Sequence, residues 1–339
     1  MDAGANRLKN RAMARLIHPA ITGIAIRWLA DNAPTAIPDD IDPATLDRME
    51  GVPVSTQRLV LEAVAGAGGS RAVVGLAEAL RHLEGMPLLY VLLNSSSVRD
   101  LVDKEQRLNR YLHSNHRVRI HELTAHTLEL EHHARWGRQP VAVESHFVLG
   151  VHLVLLDEIG CRNLTVTLPE SAEPTRRIAG RGRVTGTPPE GGHRRWRFRW
   201  TGFEPTRRVL PGLDEVLLAA DGPTDLAAER SAAVEIELVV RSDLAHRWTL
   251  AEAARLCRRS PRSLQRALAA EKTSFTEVLD RTRVAEAARR LAETDRSMTE
   301  IGFACGFSDA AHFSRRFKNA MGEAPSAWRR AISTGHPTP

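Results

Sequence analysis

Apolar positions along the chain change period several times. Residues 1–35 are alanine-rich with helical spacing and stop at the breaker Asn32-Ala33-Pro34. Residues 38–140 read mostly as helix, with apolar residues every three to four positions in RLVLEAV, VVGLAEALRHL and SSSVRDLVDKEQRLNRYL. Ser95 to Ser97 stand where the last of these helices needs its N-cap. The stretch 117–133, RVRIHELTAHTLELEHH, switches to period two at Val118, Ile120, Leu128 and Leu130, which predicts one or two strands. A helix follows in VAVESHFVLGVHLVLLDEIG and ends at Gly160. LTVTL and WRFRW alternate as strands, and the Gly-, Pro- and Arg-rich segment between them is a loop or hairpin. VEIELVV, 234–240, reads as a final strand; from Leu244 to about Arg330 the pattern is helical.

These periods predict an α+β domain over 1–242, an all-α domain over 243–330 carrying two helix-turn-helix units, and a disordered tail over 331–339. The boundary falls at Arg241-Ser242-Asp243, where alternation gives way to helical spacing.

Charge sharpens that boundary. The net charge is +6, with 47 basic and 41 acidic residues. From Asp243 onward there are 17 basic and 11 acidic residues, while the first 242 hold 30 of each. The whole excess therefore sits in the last hundred residues, as in a domain that binds a polyanion. Three cysteines, Cys161, Cys257 and Cys305, form no CxxC pair and no disulfide framework, which points to a reducing cytoplasm. The N-terminus lacks a signal-type apolar core, and the longest apolar stretch, Phe147 to Leu156, is too short for a bilayer, so neither secretion nor a membrane is expected.

The C-terminal region repeats itself. Ala254-Arg-Leu-Cys257-Arg-Arg-Ser260, then Leu264-Gln-Arg266 and Leu268, matches Gly302-Phe-Ala-Cys305-Gly306-Phe307-Ser308, then Phe313-Ser-Arg315 and Phe317. The offset is 48 up to the serine and 49 beyond it. A small residue, Ala254 or Gly302, lets two helices approach. Cys257 and Cys305 face the core as small apolar groups. Gly306 suits a turn needing positive φ. Ser260 and Ser308 stand as N-caps, and Pro261 suits the first helical position. Leu264 and Leu268, like Phe313 and Phe317, share an inward face. Arg262, Gln265 and Arg266 then point outward, as do His312, Ser314, Arg315 and Lys318, where the second helix of such a unit meets the major groove. Phe275 to about Glu293 joins the copies as a helix of about 28 Å, near the ~34 Å between successive major grooves on one DNA face. Val278, Leu279, Thr282, Ala285 and Leu291 are its packing residues.

The second copy, IGFACGFSDAAHFSRRFKNAMGEAPSAWR, closely resembles the signature of the AraC/XylS transcription regulators, and LAEAARLCRRSPRSLQRALAAEKTSF resembles their first helix-turn-helix. The resemblance covers 244–330. Ile26 to Val118, with LADNAPTAIPDDIDP and GLAEAL, is similar to the sensor domain of the branch with an arabinose-binding-like helical N-terminus. The family's first-turn glycine is replaced by Arg258 and the apolar residue after it by Arg259. Those arginines either loosen the first unit or contact phosphates. Ala310 and Ala311 stand where relatives often carry polar base readers, leaving readout to His312, Arg315 and methyl contacts. The candidate DNA contacts are Arg258, Arg259, Ser260, Arg262, Ser263, Gln265, Arg266, Ser308, Asp309, Ala310, Ala311, His312, Ser314, Arg315 and Lys318.

Other chemistry is thinner. Eight histidines fall between His113 and His152, a metal-ligand type, yet no HExxH and no nearby cysteine accompanies them. No metal and no cofactor is expected. Arg194 to Trp200 interleaves arginine with aromatics. It is either a single-strand nucleic-acid patch or an amphipathic strand whose face, Trp196, Phe198 and Trp200, lines an effector pocket or a dimer contact. With no GxSxG, phosphate loop or Cys–His pairing, no enzyme is expected. The resemblance implies a regulator of operator DNA, with an N-terminal domain that senses a small molecule, forms a homodimer and can contact RNA polymerase. The alternative is a constitutive regulator whose N-terminal domain only oligomerises or contacts polymerase.

Overall fold

In the computed structural model the described residues are 16–17, 19–39, 41, 52–82, 87–111, 116–135, 137–168, 177–180, 183–184, 194–206 and 231–333. Segment 1–15, His113 and residues 334–339 of the expected tail lie outside them; Ala331 to Ser333, expected in the disordered tail, instead end the last helix, Pro325–Ser333. The chain divides into two compact units. One comprises Met1–Met86, Ser97–Arg99 and Leu112–Thr206; the other comprises Pro87–Ser96, Asp100–Tyr111 and Arg207–Pro339.

The elements run in chain order as follows. Strand β1 (Leu16–Ile17) pairs with β2 (Val52–Pro53), with helix α1 (Pro19–Asn32) between them. Helix α2 (Val54–Gly75) continues into a 3-10 segment, Leu76–His82. Helices α3 (Pro87–Leu93) and α4 (Val98–Tyr111) follow. Strands β3 (His116–Leu123) and β4 (Thr127–Ala134) form a hairpin, as the period-two pattern predicts. Helix α5 (Ala142–Ile159) ends at Gly160, which takes the left-handed C-cap. Then come β5 (Cys161–Arg162), β6 (Thr165–Thr167), β7 (Arg177–Gly180), β8 (Arg183–Val184), β9 (Arg195–Arg199) and β10 (Gly202–Phe203).

In the first unit, a six-stranded antiparallel sheet has the order β3-β4-β9-β6-β7-β8. Register places Leu130 opposite Trp196, and both Leu128 and Val166 opposite Phe198. These five side chains are buried on one face. On the other face Glu129 is buried between Arg195 and Arg197, each donating from Nε at 2.6 Å. Burial would raise that carboxyl, but the two guanidiniums hold it below the ordinary range.

Helix α5 is buried on most sides, and its Gly150 meets the backbone of Val74: a Cβ there would lie 2.2 Å from the Val74 carbonyl oxygen. Among the described residues Val54–His82, rather than the stretch around Phe147, is long and apolar enough to span a bilayer by composition. Gly69, at φ 70°, breaks it; Val60, Leu61, Val64, Val73 and Val74 are buried, while Leu59 is exposed.

The second unit adds α6 (Ala232–Ser242), α7 (Leu250–Leu256), α8 (Pro261–Ala270), α9 (Phe275–Glu293), α10 (Met298–Ala304), α11 (Ala310–Met321) and α12 (Pro325–Ser333). The segment 234–240, read as a strand, is helix α6. Its apolar positions Ala232, Ala233, Ile236 and Val240 recur at helical spacing and enter one core with Ala253, Ala254, Leu264, Leu268 and Val278. A second core holds Val284, Ala287, Leu291, Ile301, Cys305, Phe307, Phe313 and Phe317. Helix α9 contributes to both, so the two cores share one rod.

Candidate nucleic-acid interface

Two short-helix, turn, longer-helix pairs stand at the two cores. The first starts at Thr249, whose hydroxyl accepts from Glu252 N–H at 3.2 Å while Glu252 accepts from Thr249 N–H at 3.0 Å. The turn after α7 carries Arg258 at φ 53°. Ser260 caps α8, accepting from Ser263 N–H at 3.1 Å, and Pro261 occupies the first helical position. Leu264 and Leu268 are buried while Arg262, Gln265 and Arg266 are exposed. Arg259, by contrast, donates to Glu235 of α6 at 2.8 and 3.0 Å, so its guanidinium is engaged inside the unit.

The second pair repeats the plan with one residue more in its turn. Ser297 and Glu300 form the reciprocal cap of α10. Gly306 takes φ 81°. Asp309, not Ser308, caps α11, accepting from His312 N–H at 2.7 Å, while the Ser308 hydroxyl donates to Asp309 at 3.0 Å. The inserted residue shifts the cap by one position, and a carboxylate is the better acceptor at a helix N-terminus. The His312 backbone N–H, ahead of burial, holds the Asp309 carboxyl below its ordinary range.

Phe313 and Phe317 are buried; Ala310, Ala311, Ser314, Arg315 and Lys318 are exposed. His312 does not point outward. Its ring is half-buried, lies edge-on to Phe307 at 5.7 Å, and accepts from Ser308 N–H or Arg316 Nε at 3.3 Å. Burial, then the neighbouring Arg316, lowers its pKa.

Helix α9 spans 19 residues, as the sequence predicts. Val278, Thr282 and Leu291 are buried and Leu279 is half-buried, but Ala285 is exposed. The missing contact is replaced by Arg283, Val284, Glu286 and Ala287. Arg283 donates to the carbonyls of Leu244 (3.1 Å) and His246 (2.8 Å), and burial brings its pKa down to about 10. Glu286 accepts from Arg289 and Arg290 at 2.7 and 2.8 Å. Exposed Arg316 pairs with Asp280 at 3.3 Å, tying α11 to α9. Sequence reading missed these groups. The capping boxes were readable as Thr-x-x-Glu and Ser-x-x-Glu at 249, 274 and 297, whereas Arg283 has no local signal.

Cys305 is fully buried, and burial pushes its thiol up to about 12; Cys257, half-buried, is pushed up to about 11. Thiols so far from ionising are packing groups. Trp196, Phe198 and Trp200 are 0, 0 and 4% exposed, on the sheet face that carries the first unit's core.

Pairs of capped helices with an exposed basic face on the longer member define a helix-turn-helix DNA-binding domain. Residues 253–331 match the family model described as a helix-turn-helix domain. The transcriptional activator RhaS of Pectobacterium carotovorum is 51% identical over 51 residues, 15% of this chain and 18% of that protein. The transcriptional regulator GadX of Escherichia coli O157:H7 is 28% identical over 99 residues, 29% of this chain and 36% of that protein. The activator CsvR of Escherichia coli is 32% identical over 87 residues, 26% and 33% of the two chains. The chain thus spans about a third or less of the length of these relatives. The likeness lies in this domain, which is similar to the helix-turn-helix region of these transcription regulators.

Proposed function

We propose that the chain is a sequence-specific DNA-binding transcription regulator. Helices α8 and α11 enter successive major-groove segments on one face of a duplex. Two exposed arginine-bearing faces at the ends of one 19-residue rod carry this reading. Arg262, Gln265 and Arg266 read or brace one segment, and Ser314, Arg315 and Lys318 the other, with Ala310 and Ala311 offering methyl contacts to thymine. Arg258, exposed on the first turn, suits a phosphate. Ser260, Ser263, Ser308 and Asp309 sit at the helix N-termini, where backbone N–H groups face the duplex. Arg259 and His312 support the domain from within.

The N-terminal unit supplies dimerisation and control by a small molecule. The buried indole N–H groups of Trp196 and Trp200 have no hydrogen-bond partner among the described residues. A buried donor without an acceptor is costly, so an effector bearing a carbonyl or carboxylate beside β9 would relieve both.

The test is selection of duplexes from a random library by the full chain, followed by footprinting. Two protected elements about one helical turn apart, with affinity falling steeply as salt rises, are expected. Salt-independent binding, or protection of one short element alone, overturns the reading. Effector control is read by tryptophan fluorescence together with operator affinity, and a shift in neither across candidate ligands favours the constitutive alternative.

A further inference from the structure

The segment Asp243 to His246 is held from several sides within the second unit. Lys104 of α4 is 1% exposed and donates from Nζ to Asp243 Oδ2 at 2.6 Å and to the Asn94 carbonyl at 3.0 Å; it pairs with Asp100 at 3.1 Å. Asp100 meets His246 Nδ1 at 2.9 Å and accepts from Ser96 N–H at 2.9 Å. Arg107 donates to the Ala245 carbonyl and lies over the Phe303 ring at 5.0 Å. Asp243 Oδ1 accepts from the N–H groups of Ala245 and His246, each at 3.0 Å. Asp100, Asp243 and His246 lie close enough to resemble a metal set. Lys104 already supplies the cation its two carboxylates share, so the set is an ion-pair lock.

That lock lies where both DNA-reading pairs are referenced. Leu244 is buried in the first core, and Trp248 donates to the Asp243 carbonyl at 2.8 Å. The Leu244 carbonyl accepts from Arg283 of the joining rod and abuts Gly306 in the second turn. Helix α3 packs on α10, the first helix of the second pair.

We infer that α3–α4, more than a hundred residues upstream, is a positioning element for DNA recognition: through Lys104 and Arg107 it fixes the 243–246 segment and so sets the second reading helix relative to the first. This rests on the DNA-binding reading above. Binding to one groove element needs one helix placed; binding to two needs both at a fixed separation. Loosening the lock therefore weakens two-element binding selectively.

The experiment uses the full chain and the duplex it selects from a random library, intact or with one element scrambled. Lys104→Met should lower affinity for the intact duplex about tenfold and for the scrambled one by less than about twofold, a coupling of ordinary size. Lys104→Met/Asp243→Asn removes both charges of the closest pair while keeping the Oδ1 acceptor. It should recover thermal stability without recovering two-element affinity. Equal losses on both duplexes, or none, would overturn the inference while leaving DNA binding intact. If the wild-type chain selects no DNA, the DNA-binding reading fails, and amide exchange decides the lock alone. Faster exchange in Lys104→Met at 301–307 but not at 261–270 supports it, and unchanged exchange at 301–307 refutes it.

Discussion

The two helical pairs share a plan and differ at their turns. At the same position the first carries Arg258 at φ 53° and the second Gly306 at φ 81°. The first turn is open, so a side chain tolerates the left-handed backbone at a modest cost. The second is jammed: a Cβ on Gly306 would lie 2.0 Å from the Leu244 carbonyl oxygen and 2.8 Å from the Arg283 guanidinium. The lesson is that left-handed backbone at one position is a local requirement in one copy and a packing requirement in the other. The second turn packs against the 243–246 segment, while the first leaves Arg258 exposed.

The largest way to break this contrast is at the turns themselves. Gly306→Ala should cost about 2–5 kcal/mol, from strain plus overpacking. Arg258→Gly should stay within about 1 kcal/mol of the wild type, because relief of strain offsets the flexibility gained on unfolding. Denaturant melts of the full chain, with amide exchange over 250–270 and 298–321 to localise the effect, check both. Comparable losses at the two positions would remove the distinction.

The caps offer a middle-sized comparison. Asp309→Ala and Ser260→Ala should each cost about 1 kcal/mol, as lost N-caps do. Ser308→Ala should change stability by less than about 0.5 kcal/mol, as surface substitutions do. A Ser308→Ala loss as large as that of Asp309→Ala, by thermal melting, would contradict the shifted cap.

Acidity should separate the pairs more gently. His312 is held neutral below its ordinary value, so its contribution is complete above about pH 6.5 and fades as pH falls toward its folded value. Asp309 is also depressed, so its contribution is complete above about pH 4 and is lost as pH falls through its folded value. Helix α8 has no histidine, and its cap, Ser260, does not titrate. Lowering pH from about 7 to about 5, across the His312 window, should lower amide protection, corrected for the intrinsic pH dependence of exchange, in 308–321 and leave protection in 260–270 unchanged. Equal loss of protection in both would rule out His312 as the cause.

Much of the second unit was legible because its signals are local. The repeat, its Ser260 cap and the rod from Phe275 to Glu293 follow from spacing alone. The hairpin of β3 and β4 was readable for the same reason, since alternation marks a half-buried strand. Helix α6 was misread because VEIELVV is β-branched and its helical face shows only once Ala232 and Ala233 are included. Ser308 looked like a cap because the repeat was aligned one residue before the insertion. His312 looked like a base reader by position, whereas Phe307 and Ser308 draw its ring inward. The place of Lys104 and Arg107 in the second unit is set by partners more than a hundred residues away, and no local pattern encodes such a pairing.

The most direct measurement is a base-substitution scan of the selected duplex with the wild type, Arg266→Ala and Arg315→Ala. At least one substitution should cost about 1–3 kcal/mol on the matched sequence and erase preference at one position per element, as a lost bidentate base contact does. A uniform loss across all sequences, with the salt slope reduced by about 1, would mark that arginine as a phosphate contact. If both variants keep the wild-type preference at every position, α8 and α11 do not read the duplex through these side chains, and the central claim is contradicted.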